Sequence, residues 1–190
     1  IIYDNIAPIA LLIEKKLKAS HESIVSVDDV VISYRQSSLL KKNSLGLDLS
    51  MNEESIFVAC EIRGKQEDDT KSIAHFWYGN DLKLFEIDKF VDEAKDKLIS
   101  RYNASSVPSG TYNVIMKNEA MISMLEAYFD VFSATLMQKG LSLLKGKVGK
   151  KVTSDMLSIV EKPTYDKALI KFPFDMEGVI TSEKYIIKDG

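Results

Sequence analysis

The sequence predicts an α+β fold with mixed or antiparallel sheets and a few helices, and three observations carry that prediction. Ser55 to Arg63 alternates strictly, with Ile56, Val58, Cys60 and Ile62 on one side and Phe57, Ala59, Glu61 and Arg63 on the other. That is the period of a half-buried strand. Ile87, Phe90, Val91, Ala94 and Leu98 recur at helical spacing, with Asp88, Asp92, Lys95, Asp96 and Lys97 left for the solvent side. From Thr111 to Gly140 an alternating run gives way to a long apolar segment. Strands dominate the first hundred residues with a helix at each end, and a strand, a helix and further strands follow, which is the block pattern of α+β architecture.

In chain order, residues 7–18 place Ile9, Leu12, Ile13 and Leu17 at near-helical spacing and predict a short amphipathic helix. Asp28 to Gln36, with Val30, Val31, Ile32 and Tyr34, reads as a strand. Asn43-Ser44-Leu45-Gly46 reads as a turn, and the segment through Met51 pairs back toward the strand at Ser55. Gly64 to Thr70 is a polar, mostly acidic loop, and Lys71 to Tyr78 completes a long hairpin before the helix at Ile87. Asn103 to Gly110, closed by Pro108-Ser109-Gly110, is the most linker-like stretch, so a domain boundary is expected between 1–106 and 107–190.

Beyond that boundary Thr111 to Lys117 alternates like a strand. Asn118 then opens a helix whose Met121, Ile122, Met124, Leu125, Tyr128, Phe129 and Phe132 cover most of its circumference. Such a helix is expected to be buried on nearly all sides and to stop at Gly140. Gly146 and Gly149 in the following loop allow positive φ. Met156 to Val160 reads as a short strand, Phe172 to Gly178 as a turn that fixes two strands, and Val179 to Lys188 as a further strand. The chain starts at Ile1 and finishes on Asp189-Gly190, a hairpin-turn pair with no second strand after it, so a longer polypeptide is expected.

The chain has 190 residues, 45% hydrophobic and 28% charged, in the range of globular proteins. A net charge of −3 with scattered lysine pairs argues against a nucleic-acid partner. No 18-residue apolar run and no charged-then-apolar leader is visible, so neither a membrane partner nor a signal peptide is expected. Cys60 is the single cysteine, which excludes an intrachain disulfide and fits a reducing, cytoplasmic compartment.

Few residues invite chemistry. His75 is a candidate ligand or base, but it has no second histidine nearby, and a structural sheet histidine is expected. Phe76-Trp77-Tyr78 is expected to pack rather than to stack bases, since no basic groove surrounds it. Asp175 and Glu177 share a rigid turn and suggest a metal or acid–base pair, although carboxylates in such turns more often accept backbone N–H bonds. Gly146-Lys147-Val148-Gly149 lacks the spacing and the Ser/Thr of a phosphate-binding loop.

Val107-Pro108-Ser109-Gly110-x-Tyr112-x-Val114, followed after a helix by Lys139-Gly140-x-Ser142-x-x-x-Gly146-Lys147-x-Gly149, resembles the TldD/PmbA family, the "modulator of DNA gyrase" proteins related to zinc proteases. Asn43-Ser44-x-Gly46 and Phe174-Asp175-x-Glu177-Gly178 resemble two more of that family's segments, in the same order, over a stretch from Val27 to the last residue. The resemblance implies a fragment holding the end of one α+β domain and the start of the next. It also implies a departure. The proteolytic branch carries His-Glu-x-x-x-His on the central helix, and ungapped placement puts that motif on Leu125-Glu126-Ala127-Tyr128-Phe129-Asp130. Both histidines are missing, so Leu125, Glu126 and Asp130 are degenerate motif positions, and no metal, cofactor or catalytic residue is expected in this chain.

The chain thus looks like the PmbA (TldE) branch, a subunit not catalytic on its own. The partners implied are a homologous TldD-like subunit or a second copy, with a peptide as substrate. An active peptidase whose metal ligands lie elsewhere, and a plain dimerisation or peptide-binding module, remain the alternative readings.

Overall fold

The computed structural model describes residues 6–190, which fall into two compact units. The first comprises the chain up to Ser106 together with Thr164–Thr181. The second comprises Val107–Pro163 and Ser182–Gly190.

The first unit is built on an antiparallel meander of three strands in the order β1 (Ile24–Lys42), β2 (Asp48–Gln66) and β3 (Asp69–Gly79). Its register follows from the alternation in the sequence. Val30, Cys60 and His75 form one row, Ile32, Val58 and Trp77 the next, and Tyr34, Ile56 and Gly79 a third. A one-residue slip of β2 would turn Ile56, Val58, Cys60 and Ile62 to solvent, so burial pins the pairing. Helices α1 (Ile6–Ser20) and α2 (Ile87–Ile99) supply Ile13, Leu17, Phe90, Val91, Ala94 and Leu98 to the same core. Each large apolar side chain buried there contributes about 1.5–3 kcal/mol before the entropy of ordering is subtracted. The spacing of Ile13 and Leu17 in α1, and of Phe90, Val91, Ala94 and Leu98 in α2, is therefore what attaches the helices to the sheet.

The strands run further than the apolar alternation. β1 and β2 continue past the end of β3 as a ribbon of two strands, from Gln36 to Lys42 and from Asp48 to Glu54. Cross-strand polar pairs line it: Gln36 with Glu54 at 3.3 Å, Ser38 with Asn52 at 2.7 Å, and Lys42 with Asp48 at 2.9 Å. Most of its side chains are polar, with Leu39, Leu49 and Met51 half-buried, so apolar periodicity marks it only weakly. The same reason shortens the expected loop at Gly64–Thr70. Gln66 pairs with Asp69, leaving a turn of Glu67 and Asp68. The register of β1 shifts between Ile24 and Ser26 and between Val27 and Asp29. Asp28 is turned outward there and takes hydrogen bonds from Ser26 and Arg63 at 2.6 and 2.8 Å, closing the irregularity at a sheet edge.

The second unit departs from expectation. Thr111–Lys117 forms no strand and pairs with nothing among the described residues, and Ile115 is 98% exposed. Alternation supplies a side-chain pattern, whereas a strand requires a ladder partner. The expected single helix is three pieces: α3 (Asn118–Tyr128), a 3-10 turn (Phe129–Phe132) and α4 (Ala134–Gln138). Nor is it buried, since no residue of α3 or α4 falls in the buried class. Ser133 interrupts it, because its hydroxyl accepts the Leu136 N–H at 3.4 Å as a new N-cap. The two late strands shrink to β4 (Ile159–Glu161) and β5 (Lys184–Ile187), which pair antiparallel with Glu161 bridged to Lys184 at 2.9 Å.

Candidate functional site

Leu125 and Glu126 lie in the last turn of α3, and Asp130 lies in the 3-10 turn that follows. Leu125 is half-buried, whereas Glu126 and Asp130 are exposed. Turning about 100° per α residue and 120° per 3-10 residue puts positions 125 and 130 roughly 180° apart. The change of helix type therefore separates the two positions further than a continuous α-helix would. No group of three His, Cys, Asp or Glu side chains among the described residues is placed to hold a metal ion.

The segment after α3 is organised by two small residues. Gly140 has φ of +75°, its N–H donates to Met137 O at 3.1 Å, and the Leu141 N–H donates to Leu136 O at 2.9 Å. This paired closure is a Schellman cap, so Gly140 ends α4 as the sequence predicts. Ser142, the one buried polar residue of this unit, donates its hydroxyl to Val131 O at 2.5 Å and accepts the Leu144 N–H at 3.1 Å. It ties the loop back onto the 3-10 turn. Gly146 and Gly149 both take φ of +73°. The loop borders a cavity of about 610 Å³ whose lining includes Phe132, Met137, Leu144, Lys147 and Tyr185. Leu125, Glu126 and Asp130 do not line it.

The remaining candidates resolve into structure. His75 is buried beneath α2, its ring 4.8 Å from that of Phe90 and its Nε2 3.3 Å from the Glu93 carboxylate. Glu93 is the partner that helical spacing alone does not announce, because it sits among the solvent-side residues of α2. Trp77 turns inward onto Phe85 at 5.1 Å, while Phe76 and Tyr78 join Phe57 on the open face of the sheet. Asp175 accepts the N–H groups of Glu177 and Val179, both at 2.9 Å. The Val179 hydrogen bond is the main cause holding its carboxyl below the usual range. Asp175 thus acts as a turn residue, and Glu177 contributes its backbone N–H to it.

The family model described as the PmbA/TldA metallopeptidase C-terminal domain matches residues 109–190. Along nearly the whole chain, a Haemophilus influenzae protein named as a metalloprotease PmbA homolog is 23% identical over 188 residues, 98% of this chain. The fold agrees with the crystal structure of a Thermotoga maritima protein named as a candidate modulator of a DNA gyrase, with a TM-score of 0.92, 27% identity and all of this chain covered. Residues 109–190 of this chain thus match the C-terminal domain of the TldD/PmbA family, and the chain is similar to proteins of that family along its length. An Archaeoglobus fulgidus protein named as a metalloprotease is 34% identical over 113 residues, 59% of this chain and 25% of the relative. TldE from Thermococcus kodakarensis shares the fold at a TM-score of 0.81 and 24% identity, covering 98% of this chain and 42% of that one. The chain spans 42% of the Haemophilus relative and 44% of the Thermotoga protein.

Leu125, Glu126 and Asp130 do not fit a catalytic zinc ion. Such a site takes three protein ligands and keeps one position open for water. Leu125 has no lone pair, and the carboxylate of Asp130 faces away from it on the changed helix. Glu126 has the chemistry of a general base, but neither Leu125 nor Asp130 supplies an imidazole to hold a metal beside it.

Proposed function

We propose that this chain is the subunit without catalysis in a TldD/PmbA-type metalloprotease assembly that processes or degrades peptides in the cytoplasm. The observation that carries the reading is the donor set of α3 and its 3-10 turn: Leu125, Glu126 and Asp130 where ligation requires two imidazoles. The partner in this reading is a homologous subunit that bears the metal, or a second copy of the chain. The peptide is held by main-chain pairing along a sheet edge, a mode that demands no particular side chain and agrees with the scarcity of chemical residues here. β1 and β3 are the two edges of the meander available for it within the first unit. No helix among the described residues is long and apolar enough to cross a membrane.

The test is elemental analysis of the full-length protein purified without chelator, with peptide hydrolysis measured on the same sample. The expected result is zinc far below one per chain and no cleavage by the protein alone, with cleavage gained on adding a histidine-bearing homologue. Zinc near one per chain together with cleavage would overturn the proposal and move the ligands outside these residues.

A further inference from the structure

Two turns that the sequence separates by more than a hundred residues meet in the first unit. Asn43 organises the tip of the β1–β2 ribbon, its Oδ1 accepting the N–H groups of Leu45 and Leu47 at 2.9 and 3.0 Å. Asp175 organises the second turn in the same manner, through Glu177 and Val179. Lys41, at the base of the first turn, donates its ammonium to the Met176 carbonyl inside the second. Gly178 completes the contact. Its φ is +89°, and a Cβ placed on it would come within 2.8 Å of Leu47 Cδ2 and 3.3 Å of Lys41 Cδ. The second turn is itself closed by a bridge from Phe174 to Ile180 and by the Thr181 N–H donating to Pro173 O at 3.1 Å, with Phe174 buried.

We infer that these two turns form a clasp, in which residues 164–181 hold the β1–β2 ribbon in place and the ribbon in turn holds them. The reason is the ribbon's isolation. β3 pairs with β2 only from Ile56 onward, so among the described residues the stretch from Gln36 to Glu54 has no third strand. A two-stranded ribbon is marginal in water by itself. The second turn is equally short of support, since its own hydrogen bonds close only a few residues. Packing Gly178 against Leu47 and anchoring Met176 on Lys41 stabilises both, and neither contact touches the core between the sheet and its helices. The clasp accounts for a glycine at 178 on two grounds, the left-handed backbone and the closeness of Leu47.

Amide hydrogen exchange on the full polypeptide tests this, with Gly178→Ala loading the clasp from one side and Leu47→Ala from the other. Gly178→Ala is expected to speed exchange about tenfold or more at Glu177–Thr181 and also at Leu45–Ser50, while Ile56–Ile62 keeps its protection. Leu47→Ala is expected to speed exchange at Glu177, Gly178 and Val179, a change a merely local hairpin defect would not produce. Acceleration confined to the mutated turn in both variants would overturn the clasp. So would an equal loss of protection throughout Ile56–Ile62, which would mean that the contacts support the whole unit rather than the ribbon.

Discussion

Cys60 of β2 stands directly opposite His75 of β3 in the antiparallel register, and both are buried in the layer beneath α2. Burial pushes the Cys60 thiol up to about 11, against smaller opposing contributions from the backbone of His75 and the charge of Lys97. The thiolate fraction at neutral pH is then on the order of one in ten thousand. Iodoacetamide should leave the folded protein unmodified and label it fully in denaturant. Mass spectrometry reads the difference, and rapid labelling of the native protein would contradict this burial. The linkage has a definite sign. From the ordinary thiol value of 9.0 up to about 11, the unfolded chain releases a proton that the folded chain keeps, so stability falls as pH rises through that window.

The Asp175 turn should respond to acid in the opposite direction. Its carboxyl is held below the usual range chiefly by the Val179 hydrogen bond, so its contribution is complete above about pH 4 and is lost as pH falls through the lowered value. Amide exchange at Glu177 and Val179 is therefore expected to accelerate on acidification, beyond the intrinsic pH dependence of exchange, before β2 loosens. Asp175→Asn keeps an acceptor oxygen but no titrating charge, and should abolish that acid step. Persistence of the step in the variant would place its origin elsewhere.

Core and open face should differ sharply in cost. Leu98 is fully buried, and Leu98→Ala is expected to destabilise by about 2–5 kcal/mol. Phe76 is 54% exposed on the other face of the sheet, against Phe57 and Tyr78, and Phe76→Ala is expected to cost about 1 kcal/mol. Urea denaturation of both variants checks the ranking. A reversed order would mean that the open face carries a core of its own.

Installing Leu125→His and Asp130→His together should not create a zinc site. The passage from α3 into the 3-10 turn sets the two positions roughly 180° apart, so the imidazoles cannot reach one ion without rebuilding Tyr128 and Phe129. Calorimetric titration is expected to show no stoichiometric zinc binding. Tight binding at one zinc per chain would show that the helix re-forms as a metal-binding element.

Much of the first unit was legible in the sequence, because periodicity and burial agree there. The alternation from Ser55 to Arg63 and the stripe from Ile87 to Leu98 read directly as one core, since each element needs only the other to cover it. The chemistry of single residues was legible as well: the leucine at 125 cannot ligate a metal in any fold. The ribbon from Gln36 to Glu54 was legible only in part, as the turn at Asn43–Gly46 and the pairing back through Met51, since its polar cross-strand contacts leave a weak apolar period.

The second unit misled for the converse reason. Thr111–Lys117 has a strand's pattern without a partner among the described residues, and the segment from Asn118 to Gly140 has a buried helix's composition while none of its residues is fully buried. By itself, then, the sequence determined which residues are apolar, where glycine and proline break the chain, and which side chains are chemically able to ligate or ionise. Only the tertiary structure decided which alternating runs find a ladder, that Ser133 restarts the helix, that Glu93 meets His75, and that Lys41 and Leu47 close on Met176 and Gly178. The physical reason is that those outcomes depend on contacts between residues far apart in sequence, and local periodicity carries no information about which partner will be there.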